Sequence, residues 1–485
     1  MEIFLGFDVG TTSIKASAID KAGVILATAQ VPCVMETPKP GYFEIDAPAQ
    51  WAGGFLRALA DLGPEIVSRA RALCVSSVCA SFVPVDDEGR ALRNAIMYGI
   101  DTRATTQFER LNRDFPNARL ASVAGNGFTS HSVLPKILWL KENEPEIYAK
   151  TARFVESSNF ITSRLTDRYA WDRPSAAGAH MIDVERGAYP SEFLRDIGVD
   201  EGKLPALRYP LDILGSVTRK ASLATRLPEG IPVLVGACDV NAEAFACGAF
   251  DPGSLLLVYG STLSTLYTID SFKTLPGFLI GPSVLEGTYR LGGATSSGGR
   301  YLDWIRKLLD MGLPSDLDGG GAPGAILMLP FLDGARIPFQ NPDYGVLWYG
   351  MSSATTPKDL WKAAMESMGC ELSLLLDLFA SVGQLPGYAH VTGGLASNRQ
   401  FLRIVANVSG MPLRHFKNVN AAFGDALMAL SIESGLDEVR AVLGARARYP
   451  DNVEEIVADR TSFAAYAGKR SAYRKAVAFL RELQS

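Results

Sequence analysis

The chain has 485 residues, more than a single hydrophobic core accommodates, so two or three domains are expected. Hydrophobic residues make up 47% and charged residues 20%, ordinary for a soluble globular protein, and the net charge of -5 argues against a nucleic-acid or anionic-membrane surface. No basic leader precedes an apolar stretch at Met1 to Phe7, and no apolar run approaches the roughly 20 residues of a membrane span, so the expected setting is cytoplasmic. The cysteines follow neither a metal-ligand nor a disulfide pattern, and the four histidines lie far apart, which leaves carboxylates for any acid–base chemistry.

The chain opens with an apolar strand ending at Val9, a turn at Gly10-Thr11-Thr12-Ser13, and a second strand of alternating polarity that runs to Asp20. A glycine turn flanked by hydroxyl residues offers backbone N–H groups and hydroxyls to an anion, because no side chain blocks the approach. Asp8, just before the turn, reads as a turn-forming residue or as a carboxylate that holds Mg²⁺ beside a phosphate. Lys15 reads as a solvated or ion-paired lysine. Leu73 to Val85 predicts a strand pair closed by the turn Asp86-Asp87-Glu88-Gly89, and Lys136 to Leu140 and Ile147 to Lys150 predict helix. Ile231 to Ala237 reads as a buried strand feeding a helix, with Asp239 at the junction. That aspartate either caps the helix or takes a proton from an attacking hydroxyl. Glu243, one turn later, reads as a solvated helix residue.

At Ser254 to Asp270 the opening pattern returns. With Gly260 set on Gly10, Ser261 falls on Thr11, Thr262 on Thr12, Ile269 on Ile19 and Asp270 on Asp20, without a gap. Two phosphate loops in tandem half-chains describe a clamp around a nucleotide. Gly319 to Gly321 reads as a connector, and Trp361 to Ala380 is the longest helical pattern. Ala389 to Gly410 predicts a strand, a turn at Gly393-Gly394, and a helix capped by Ser397 and stopped at Gly410. Those paired glycines serve either a ligand or close helix–strand packing. The expected class is α/β with two similar lobes, residues 1–245 and 246–485.

Taken in order, these segments resemble the FGGY carbohydrate kinases, nearest the xylulokinase-like branch, over essentially the whole chain. Phe7 to Ser13 resembles the first phosphate motif, Gly236 to Asp239 the segment with the catalytic aspartate, and Gly260 to Thr262 the second phosphate loop. Gly393-Gly394 with Asn398 resembles the adenosine motif, and Asn420 to Ala426 the helix start that follows it. Leu329 to Pro338 is similar to the family's Pro-Tyr-Leu-x-Gly-Glu-Arg-x-Pro signature. The resemblance implies two ribonuclease-H-like lobes of the sugar kinase/actin/heat-shock ATPase fold, with a cleft between them. Mg-ATP would lie mainly against the C-terminal lobe, Gly298 included among its contacts. The acceptor would lie against the N-terminal lobe, with Asp239 as base and Asp8 on the metal side.

The departures fall where an acceptor is chosen. Val78-Cys79-Ala80-Ser81 stands where xylulokinase-like members carry Gln-Met-His-Gly, and Tyr98 to Arg103 replaces a Trp-x-Asp-x-Arg segment. Asp101 binds sugar hydroxyls or pairs with Arg103. Ala335 replaces the signature glutamate, and Asp167 the usual glycine after Leu165-Thr166. The expected function is ATP-dependent phosphorylation of a small sugar or polyol, a ketopentose such as xylulose first. A catalytically degenerate sugar- or nucleotide-responsive module is the alternative. Homodimers are frequent in such kinases, and no pattern here marks an interface.

Overall fold

The structure is a computed structural model that describes residues 2–116, 127–310 and 322–483. The glycines at 319–321 lie outside the described residues. The chain divides into two compact units. Met1–Phe250, Ile280–Tyr289 and Val419–Arg446 form the first, and Asp251–Leu279, Arg290–Asn418 and Ala447–Ser485 form the second. Helices α1 (Gly53–Leu62), α2 (Ser157–Thr166), α3 (Asp239–Ala246), α4 (Pro357–Ala380), α5 (Arg399–Ser409) and α6 (Ala421–Arg446) flank or connect the strands. Among the described residues no helix is long and apolar enough to cross a membrane.

The first unit is built on β1 (Ile3–Val9), β2 (Ser13–Ile19), β3 (Ile25–Pro32), β4 (Ala70–Ser77), β5 (Ile213–Ser216) and β6 (Pro232–Leu234), in the sheet order β5-β6-β4-β1-β2-β3. Every residue of β1 is buried, which explains its nearly unbroken apolar run. Leu5, Phe7 and Val9 face a core with Ile14, Phe55 and Leu59, whereas Phe4 joins Ile19, Phe245 and Leu427 in another.

Helix α6 approaches β1 so closely that a Cβ on Gly6 would lie 2.0 Å from the Ala422 carbonyl oxygen. Likewise, a Cβ on Gly424 would lie 1.8 Å from the Ala242 carbonyl oxygen of α3. Only glycine fits at either crossing.

The second unit repeats this plan. Its sheet has seven strands: β7 (Leu255–Tyr259), β8 (Leu263–Ile269), β9 (Tyr289–Ala294), β10 (Ala389–Thr392), β11 (Leu413–Phe416) and β12 (Val453–Ile456) run in the order β9-β8-β7-β10-β11-β12, and Leu279–Pro282 adds an edge strand beside β9. In each sheet an antiparallel hairpin is followed by two parallel strands and an antiparallel edge strand. The sequence repeat therefore marks a repeated topology.

The hairpins differ in one respect. Val9 pairs with Ile14, but Tyr259 pairs with Leu263, so the second turn closes one residue sooner than the sequence alignment implies.

Three local expectations need correction. Leu73 to Val85 does not form a strand pair. Strand β4 lies in the six-stranded sheet, whereas Phe82–Val85 lies between Ala95–Ile96 and Arg153–Glu156 in a five-stranded one. The buried strand before Asp239 is shorter than expected, because Gly236 takes a positive φ of 84°. Helix α5 is capped by Asn398, whose side chain accepts from Phe401 N–H at 3.1 Å, and Ser397 belongs to the preceding 3₁₀ turn. The Gly410 stop is as expected, with φ 79°. Asp167 ends α2 in the same left-handed region, at φ 54°, which accounts for the glycine usual there.

Candidate functional site

In the first unit the sheet brings Asp8 and Asp239 into one electrostatic environment. Asp8 lies near the end of β1, paired with Lys15 on β2 and Ser76 on β4. It is 8% exposed, and its Oδ1 is buried with no hydrogen-bond partner. Burial, then the negative charges of Asp239 and Glu243, push the carboxyl up to about 7, against the pull of Lys15. Glu243 is thus partly buried and part of this field, not the solvated residue expected from sequence.

Asp239 is the first residue of α3, which Cys238 caps. Gly236 sets its place. A Cβ there would lie 1.9 Å from the Val75 carbonyl oxygen, so the loop can run hard against the end of β4. Ser77 N–H then donates to the Ala237 carbonyl at 3.2 Å. The Asp239 carboxyl is partly exposed, and its Oδ1 accepts from its neighbour Val240 N–H at 2.7 Å. Burial raises its affinity for a proton, while Val240 N–H and Lys15 hold it down. This is a carboxylate at a rigid strand-to-helix junction, and not a conventional side-chain cap.

The turn beside Asp8 is held by Gly10 N–H to Ser13 O at 3.0 Å and by Cys33 N–H to Thr12 O at 2.9 Å. Thr11 is partly exposed and Thr12 exposed, while Ser13 is buried and lies 3.4 Å from Gln30 Nε2.

Val78 and Cys79 leave the end of β4, where Val78 N–H donates to Val9 O at 3.1 Å. Cys79 is partly exposed, and its thiol lies against Cys238 and donates to Ser175 O at 3.6 Å. Asp101 and Arg103 are buried in a two-pronged ion pair, Nε to Oδ1 at 2.9 Å and Nη2 to Oδ2 at 2.8 Å. Phe43 N–H fills Oδ2 further at 2.7 Å, and the guanidinium lies over Tyr42 and Trp139. Of the two readings left open by the sequence, this geometry is the local pair.

In the second unit Gly260, Ser261 and Thr262 form the corresponding turn, braced by residues 297–300. Gly299 N–H donates to Gly260 O at 2.8 Å, and Arg300 N–H to Ser261 O at 3.0 Å. A Cβ on Gly298 would lie 2.5 Å from Thr262 Cα, so this glycine is required by close approach. Behind the brace, Ser297 donates through its hydroxyl to the fully buried Glu371 of α4. Burial pushes that carboxyl up to about 7.

The paired glycines divide their work. A Cβ on Gly393 would lie 2.5 Å from the Tyr259 carbonyl oxygen, whereas one on Gly394 would meet nothing within 4 Å. Gly393 serves packing, and Gly394 leaves an exposed stretch of backbone just before Asn398 and α5.

Sequence reasoning did not single out Glu371 or the buried Glu156. Glu371 stands among apolar residues of a long helix, whereas Ser157-Ser158-Asn159 follow Glu156 and give no such hint. The donor set at Asp8 suits a hard divalent cation, since a buried carboxylate oxygen there has no partner. Among the described residues no group of three or more His, Cys, Asp or Glu forms a metal cage. Such a cation would therefore complete its shell with phosphate and water, as Mg²⁺ commonly does.

Comparison with known proteins shows the family and the fold. The model of the N-terminal domain of the FGGY family of carbohydrate kinases matches residues 3–246, and that of its C-terminal domain matches residues 264–432. Xylulose kinase of Escherichia coli K12 is 26% identical over 445 residues, covering 88% of this chain and 89% of that protein. Xylulose kinase of Bacillus subtilis 168 is 27% identical over 447 residues, with 88% of each covered. In fold, the crystal structure of xylulose kinase from Rhodospirillum rubrum matches with a TM-score of 0.87 at 24% identity, covering 99% of both chains. Plasmodium falciparum glycerol kinase with ADP matches with a TM-score of 0.82 at 19% identity, covering 98% of both chains. The chain belongs to the FGGY family of carbohydrate kinases.

Proposed function

We propose that this kinase moves the γ-phosphoryl group of ATP to a hydroxyl of a small sugar or polyol, with a ketopentose such as xylulose as the first candidate. The observation that carries the reading is the placement of Asp239 at the rigid junction beside a buried, unsatisfied Asp8. Asp239 accepts the proton of the acceptor hydroxyl as its oxygen attacks the γ-phosphorus, and the bond to the ADP oxygen breaks. Backbone N–H groups and hydroxyls at Gly10 to Ser13 and at Gly260 to Thr262 bind phosphate oxygens. The open backbone at Gly394, with Asn398 and α5 behind it, receives the adenosine end. Asp8 would hold Mg²⁺, which neutralises charge on the phosphates when bound. Arg103 and Asp101 bind each other, and Arg103 also pairs with Glu44 at 2.9 Å, so we assign them to holding the acceptor-side wall. Val78 and Cys79 supply part of its surface.

The relatives' names favour a ketopentose, but Val78 to Ser81 provide neither amide nor imidazole to an acceptor. A coupled ADP-release assay across ketoses, aldoses and polyols identifies the acceptor. The expected outcome is sugar-dependent turnover with one preferred compound. ATP binding without turnover on any member would favour the degenerate binding module instead.

A further inference from the structure

A buried acid pair lies next to Ser175 and Cys79 in the first unit. Glu156 ends the strand Arg153–Glu156 and is 1% exposed, and Asp172 is 2% exposed. Asp172 caps the helix Arg173–Gly178 by accepting from Ser175 N–H at 2.9 Å through Oδ1. Glu156 Oε1, Asp172 Oδ2 and the Ser175 hydroxyl are buried, and none has a hydrogen-bond partner. The two carboxyls and the hydroxyl face one another.

Two ionised carboxylates both accept and neither donates, so this contact is satisfied only when one proton is shared. The titratable groups around Glu156 are Asp172, Cys79, Cys238 and Tyr189, none of them a cation. Arg173, next to Asp172, donates to Gly187 O and lies over the Tyr209 ring at 5.1 Å. Burial and then Asp172 push Glu156 far above the usual carboxyl range, while Asp172, anchored on Ser175, rises only to about 6. The pair therefore holds one proton between Glu156 and Asp172.

From this pair a short chain of contacts leads outward. The Ser175 hydroxyl sits beside both acids, the Ser175 carbonyl accepts from the Cys79 thiol, and Cys79 lies against Cys238, the residue before Asp239. We propose that Glu156 is a positioning residue: set against Asp172 with one proton between the two carboxyls, it keeps Ser175 and Cys79 in place against the Asp239 loop, so acceptor binding depends on that proton. The inference rests on the kinase reading above for its substrate. A second ionised carboxylate in this closed space would drive the pair apart and loosen Cys79.

The test is a pH series with the best acceptor from the panel, using wild type and Glu156→Gln. The amide keeps a donor toward Asp172 and cannot ionise. In wild type the acceptor KM should rise by about tenfold per pH unit once the pair ionises, with the ATP KM unchanged. In Glu156→Gln the acceptor KM should stay flat. An alkaline limb that persists in Glu156→Gln, or an ATP KM that rises in step, would overturn the proposal. Without substrate, infrared spectra should show a protonated-carboxyl band that bleaches on alkalinisation in wild type and is missing from Glu156→Gln. Absence of the band also overturns the proposal. If wild type phosphorylates nothing on the panel the kinase reading fails, and the infrared band still decides whether the proton is there.

Discussion

At Asp239 burial raises the carboxyl's affinity for a proton, and the neighbouring Val240 N–H and Lys15 oppose it in part. Replacing it with alanine should lower sugar-dependent ADP release by about 10²–10⁴-fold, the usual contribution of a general base. Calorimetric ATP binding should survive, and full turnover in Asp239→Ala would remove the base assignment. Glu371 makes a prediction about stability. The unfolded chain releases its proton near 4.5 and the folded chain near 7, so the folded state binds more protons between those values. Stability should therefore fall as pH climbs across that window and level off above it. The loss is about 3 kcal/mol. Denaturant titrations at both ends should find a loss larger by about that amount in wild type than in Glu371→Gln, since the other raised carboxyls are common to both.

The hairpins were legible as elements because a period-two pattern around a glycine turn is local information. Their different closure was not, because cross-strand pairing depends on partners the pattern does not contain. Asn398 took the cap from Ser397 for a similar reason: both are good caps, and the 3₁₀ turn after Gly393 decides which one meets the helix. Burial of Glu156 and Glu371 is tertiary, so composition and spacing could not assign it. The helix crossings are likewise invisible in sequence, yet they are tight enough to test. Gly424→Ala places a methyl group against the Ala242 carbonyl, and should cost about 3 kcal/mol at the upper end of overpacking effects. Urea unfolding measures it, and a neutral result would mean that α3 and α6 slide apart easily.

Across the whole molecule, the repeated sheet order was foreshadowed by the repeat at Gly260, but the return of α6 to the first unit was not. Gly6 and Gly424 hold that helix against β1 and α3, and Asp425 Oδ2 accepts a buried hydrogen bond from the Ser76 hydroxyl at 2.6 Å. A chain stopped at Asn418 should consequently lose the first unit's cooperative unfolding transition, even though most of its residues remain. Far-UV circular dichroism during urea titration checks this; an intact transition would show that α6 is dispensable.

The same long-range return has a consequence for biosynthesis. Residues 251–279 and 290–418 must all be translated before α6 exists. At about 5–20 residues per second, the nascent first half waits many seconds with the faces of β1 and α3 uncovered. Those faces include Phe4 and Phe245, the kind of surface that ribosome-associated chaperones shield. Production of this enzyme should thus be more sensitive to chaperone supply and to slow codons before position 421 than its length alone suggests.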